Sequence, residues 1–164
     1  MARAPSKTPP ADEPANDVDL GVLNRFIGFR IRRIQNHISR AFNDRIGDKD
    51  VRPGVFSALA LIAANPGLSQ TTLAREIGFD KATVVALLDA LEKLAWAERR
   101  RSAEDRRRHS LFITPKGEKA LANLCDIAEA NEAAINAALS KPEQAQLFGL
   151  LDKIYGVCFA DDAA

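Results

Sequence analysis

A basic turn between two short β-type segments, DRRRHSLFITPKG from Asp105 to Gly117, constrains this chain more than any other stretch. Trp96–Arg101 and Ser110–Ile113 are short enough for strands, and the polar SAEDRRRH between them reads as their exposed loop. Six arginines fall between positions 99 and 108, so the hairpin presents a cationic edge. A solvated charged hairpin accounts for the arginines but not for the acids Glu104 and Asp105 at the base of the triplet. Asp105 can accept fork hydrogen bonds from an arginine, which predicts a braced loop.

The segments before the hairpin read as helices. Leu20, Leu23, Ile27, Ile31, Ile34, Ile38 and Ala41 recur at steps of three or four, predicting one long helix that ends near Ile46 before Gly47. VFSALALIAA, after Arg52-Pro53-Gly54, is apolar all round and belongs in a core; Asn65-Pro66-Gly67 ends it. Ser69 is an N-cap for TTLAREIG, with Gly78 as its left-handed terminus, and Asp80 caps KATVVALLDALEKL. In that last helix Val84, Leu87 or Leu88, Leu91 and Leu94 share a face, which leaves Lys81, Ala82, Thr83, Val85 and Ala86 outward.

Two helices joined by a tight glycine turn form an ordinary helical hairpin or a helix-turn-helix. The arginine-rich hairpin directly behind them favours the second, since a flexible basic loop can follow phosphates or enter a narrow minor groove. The predicted fold is therefore mainly α with a small β wing: a winged helix-turn-helix core with further helices at both ends.

Length and charge agree. The 164 residues, 46% hydrophobic and 27% charged, can bury one sizeable core. Net charge is +1, but residues 51–117 carry 11 Lys/Arg against 7 Asp/Glu, whereas residues 118–164 carry 3 against 8. The proline-rich residues 1–17 read as a solvated tail and residues 18–164 as one domain. Cys125 and Cys158 are too few for a disulfide framework, and no run reaches the roughly 18 apolar residues of a membrane span, so cytoplasm is the expected compartment. No Gly-rich phosphate loop, His-Glu-x-x-His or paired-cysteine spacing occurs, and His37 and His109 are the only histidines. No catalytic residue, cofactor or metal site is expected.

The run from Arg52 to Leu121 resembles the MarR family of bacterial transcriptional regulators, whose wing signature appears as Asp105-Arg106-Arg107 followed by Ile113-Thr114-Pro115-Lys116-Gly117. The resemblance extends over nearly everything from Leu20 to Phe159. It implies a homodimer on a double-stranded DNA operator, with a DNA-binding lobe at about 52–114 and dimerisation helices at about 18–46 and 115–160. The remaining sequence is consistent: Thr114-Pro115 opens a helix through Leu121, Leu124, Ala128, Ile135 and Leu139, and Lys141-Pro142-Glu143 opens another with Leu147, Leu150, Leu151, Ile154 and Cys158 on one face. Carried over by position, Lys81, Ala82, Thr83, Val85 and Ala86 match base-facing positions, and Arg106 and Arg107 match wing contacts. Ala82, Val85 and Ala86 depart from the polar or arginine side chains common there, so direct readout is expected to be sparse.

The resemblance also implies an effector, a small aromatic anion or its CoA thioester. Arg30, Arg33, His37 and Arg40 recur at helical spacing, and Phe56 lies on the next helix. They read either as an anion site or as a solvated helix face with a structural histidine. Two rival inputs or roles stand beside this: redox sensing through a cysteine, although both cysteines read as small core residues, and a winged helix used only for protein contacts.

Overall fold

The computed structural model describes residues 18–46, 54–101 and 109–160. They fall into two compact units divided after Gln35, within the first long helix. In the N-terminal unit a 3-10 turn, Gly21–Arg25, precedes α1, Ile27–Ile46. The continuous helix expected from Leu20 is thus broken: Phe26 adopts extended backbone, φ −101° and ψ 116°. Side-chain and backbone groups take over the ends, with Asp19 Oδ1 accepting from the Gly21 amide at 2.8 Å and Asn24 O accepting from Arg30 Nε at 3.0 Å. Apolar spacing alone does not register such local competition.

The larger unit contains the rest of α1, then α2 (Val55–Ala64), β1 (Leu68–Ser69), α3 (Gln70–Ile77), α4 (Lys81–Lys93), β2 (Ala97–Arg101), β3 (His109–Ile113), α5 (Pro115–Ala138) and α6 (Lys141–Cys158). Local chemistry sets most boundaries. Ser69 Oγ accepts from the Thr72 amide at 3.0 Å, Asp80 Oδ1 from the Ala82 and Thr83 amides at 2.9 and 3.0 Å, and Thr114 Oγ1 from the Gly117 amide at 3.0 Å. Ser140 and Glu143 form a reciprocal capping box on α6. Gly78 ends α3 at φ +73°, a conformation that lets the chain turn into α4 within two residues.

The sheet is antiparallel in the order β1-β3-β2, with Leu68 opposite Leu111 and Arg99 also opposite Leu111 from the other side. The two-residue β1 was not foreseen, because its pairing is with β3, about forty residues away in sequence, and two residues carry no period of their own. It ties the entry of α3 directly to the wing strands.

The core joins α2 to α5 and the sheet. Val55, Ala58, Leu59 and Ile62 of α2 pack with Leu73 of α3, Val84, Leu87, Leu88 and Leu91 of α4, Ala97 and Leu111 of the sheet, and Leu124 of α5. Both Leu87 and Leu88 are buried, so the core-facing stripe of α4 is wider than one residue per turn. Each such leucine or isoleucine contributes about 1.5–3 kcal/mol. No charged or polar residue is buried among those described. The helix-turn-helix and the wing are therefore one packed body, and α4 cannot move without disturbing the sheet.

Candidate nucleic-acid interface

The first turns of α4 leave the core. Val84, Leu87, Leu88 and Leu91 face inward, whereas Lys81, Ala82, Thr83 and Val85 are exposed and Ala86 is half-buried. Val85 keeps 37% of its surface open, enough for an apolar side chain to meet a thymine methyl. Thr83 differs from the expectation in one respect. Its hydroxyl donates to Asp80 Oδ2 at 2.5 Å, so its proton is committed to the helix cap although the residue is exposed. These hydrogen bonds, the Thr83 hydroxyl first and its amide next, hold the Asp80 carboxyl below its ordinary value.

The wing strands show which of the six arginines are already occupied. On one face of the sheet Arg99 shares the side of Ala97 and Leu111 and reaches α4: Nη2 lies 2.7 Å from Asp89 Oδ1 and Nη1 3.0 Å from Glu92 Oε2. On the opposite face Arg100 pairs with Glu98, and its guanidinium sits 4.4 Å over the Phe112 ring. Asp105, Arg106 and Arg107 lie outside the described residues. The sequence reading missed Arg99 as a partner of α4; the available signal was the acid pair Asp89 and Glu92, three residues apart on the outward side of the helix.

The signature Thr-Pro-x-Gly has a structural cause at the back of the wing. The Thr114 amide donates to Trp96 O at 3.0 Å, and its hydroxyl donates to Ala95 O at 2.7 Å while capping α5. Pro115 occupies the first turn, where no amide proton is needed. A Cβ on Gly117 would overlap the Trp96 carbonyl oxygen. α5 thus starts in backbone contact with Trp96, in the turn between α4 and β2.

Among the candidate effector residues, Arg30 and Arg33 belong to the N-terminal unit, where Arg33 stands 6.0 Å from the Phe29 ring centroid. His37 and Arg40 are exposed in the larger unit. Phe56 is half-buried, its ring 5.6 Å from that of Phe42. Of the cysteines, Cys125 is half-buried but Cys158 is exposed, contrary to the expected core position; among the described residues none covers the α6 face on which it sits. Among the described residues no helix is long and apolar enough to cross a membrane, and no group of three His, Cys, Asp or Glu side chains is placed to hold a metal ion.

Comparison with known proteins follows the same lines. The sequence profile of the MarR family matches residues 49–108. A protein of Thauera aromatica, named as a transcriptional regulatory protein for the hcr operon, is 35% identical over 147 residues, 89% of each chain. The transcriptional repressor CouR bound to a 23-mer DNA duplex superposes with a TM-score of 0.74 at 32% identity, covering 85% of this chain and 99% of that one. CouR bound to p-coumaroyl-CoA gives a TM-score of 0.72 at 30% identity, covering 85% and 98%.

Proposed function

The chain belongs to the MarR family of transcriptional regulators, and from that premise we propose that it is a dimeric repressor, released from a pseudo-palindromic operator by a small aromatic anion or its CoA thioester. The observation that carries the DNA reading is the outward first half of α4, held rigidly against a cationic two-stranded wing. Lys81, Ala82, Thr83, Val85 and Ala86 face the major groove in this reading, with Arg106 and Arg107 on the wing and Asp105 bracing it. Two copies related by a two-fold axis set half-sites roughly one helical turn, about 10 bp, apart. The likeness to a repressor chain on a DNA duplex supports this arrangement.

Residues 52–114 form the DNA-binding lobe, and 18–46 with 115–160 form the dimerisation helices. Support comes from α6, none of whose residues is buried in a single chain although Phe148, Leu150, Tyr155 and Val157 are each at least half exposed. The candidate effector contacts are His37, Arg40 and Phe56 in the larger unit and, separately, Arg30 and Arg33 in the N-terminal unit; the CouR chain holding p-coumaroyl-CoA supports the ligand class. Ligand relieves repression only through its differential affinity for the free and DNA-competent states; a ~100-fold drop in DNA affinity requires about 2.7 kcal/mol of coupling.

The test is footprinting on DNA upstream of the chain's own gene, repeated with a panel of aromatic acids and their CoA thioesters. A protected palindrome that one ligand abolishes is the expected result. Protection that no panel member changes, but peroxide removes and Cys125→Ser preserves, would replace the ligand with a redox input.

A further inference from the structure

Among the described residues, Arg99 is the wing arginine whose donors are spent on α4, the helix read above as facing DNA. Its Nη2 donates to both Asp89 Oδ1 at 2.7 Å and the Val85 carbonyl at 3.2 Å, and its Nη1 is ion-paired with Glu92 Oε2 at 3.0 Å. Its own amide donates to the other oxygen of Glu92 at 3.0 Å. The side chain is only 20% exposed, and its Nε is enclosed without a hydrogen-bond partner.

Val85, Asp89 and Glu92 follow one stripe of α4 at steps of four and three, so a single planar guanidinium grips the helix at points spanning two turns. One of those points, the Val85 carbonyl, belongs to the turn that carries the base-facing side chains. A grip of this kind fixes the rotation of α4 about its axis and its distance from β2. It also sets a positive charge between two carboxylates on a surface that approaches a polyanion; moving Arg99 onto a phosphate would strand both acids.

We propose that Arg99 is a positioning residue for sequence readout: clamped by Asp89, Glu92 and the Val85 carbonyl, it sets the angle at which α4 presents Thr83 and Val85 to base edges, and it does not contact phosphate. This rests on the DNA-binding reading above. Base readout depends on the angle of the helix, whereas phosphate attraction does not, so the clamp acts on the ratio of specific to non-specific affinity.

The experiment compares binding of wild-type, R99K, D89N and R99K/D89N chains to two probes: the duplex that the wild-type chain enriches from a randomised pool, and poly(dI-dC). Each single variant is expected to weaken the enriched duplex roughly tenfold and leave poly(dI-dC) within about twofold, with the double variant no weaker than the worse single, as for partners in one network. Asp89 is 59% exposed, so D89N keeps the fold and carries the test alone if R99K unfolds. Tighter binding of D89N to both probes would mean that the acid merely restrains a phosphate-seeking arginine, and it overturns the proposal. Equal losses on both probes, the mark of a merely destabilised fold, overturn it too, as do losses that add in the double variant. Failure of the wild-type chain to enrich any sequence removes the DNA-binding reading itself, an outcome separable from the others.

Discussion

Gly117 shows how much a single atom decides. Within a helix, Ala in place of Gly is normally favourable by roughly 0.5–1 kcal/mol. Here the added methyl meets the Trp96 carbonyl oxygen, which is itself held by the Thr114 amide. Overpacking against atoms that cannot rotate away costs about 1–3 kcal/mol or more, so the clash outweighs the propensity gain. Gly117→Ala should lower the unfolding free energy by about 1–2 kcal/mol in urea titrations. A variant as stable as wild type would show that α5 and the turn at Trp96 are not in backbone contact. The helix start at Thr114-Pro115 was legible because threonine and proline mark it locally, whereas the close approach at Gly117 was not, since Trp96 stands 21 positions earlier. Nor was the Arg99 clamp: its acids stand seven and ten positions earlier, and only the return of β2 along α4 brings them together.

At the level of elements, α4 begins on a carboxylate whose proton affinity is coupled to folding. Asp80 has its pKa lowered, chiefly by the Thr83 hydroxyl. A depressed folded pKa means that the cap's contribution is complete above the unfolded carboxylate value and is lost as pH falls through the lower folded one. Stability near neutral pH is therefore indifferent to this group, and the loss falls on the acid side of about pH 4. Asp80→Asn keeps a side-chain acceptor for the amides but does not titrate. Its unfolding free energy should match wild type closely at pH 7 and decline less steeply in acid. Identical acid slopes for the two proteins would refute the linkage. Glu143, similarly lowered by Ser140, remains in both proteins and cancels in the comparison. The caps at Ser69 and Asp80 could be read from sequence because each acts within three residues, and the starts of α5 and α6 were marked by Thr114-Pro115 and Lys141-Pro142. The break at Phe26 and strand β1 could not, since one depends on competing local hydrogen bonds and the other on a distant partner strand.

On the scale of the whole molecule, the twelve buried hydrophobic residues among those described belong to the helix-turn-helix, the wing and the adjoining helices, while α6 contributes none of them. The apolar spacing of α6 was plain in the sequence, but what it faces is a property of an assembly and no single chain's pattern specifies it. Leu151 and Ile154 are 39% and 37% exposed on the same face as Cys158, and Tyr155 and Phe159 stack at 4.3 Å beside it. A second copy of this chain is the cover that the proposed function requires. Two copies present two α4 helices at once, so the second half-site is bound intramolecularly and avidity exceeds that of one lobe by about 10²–10⁴. Replacing Leu151 and Ile154 together by Asp places charges within that face and should yield a monomer by sedimentation, with operator affinity reduced by about 10² or more. The core of the DNA-binding lobe contains neither residue, so helical content should persist. A doubly substituted chain that stays dimeric would place the interface elsewhere; a monomeric one with full operator affinity would mean that one lobe suffices and that the palindrome is unnecessary.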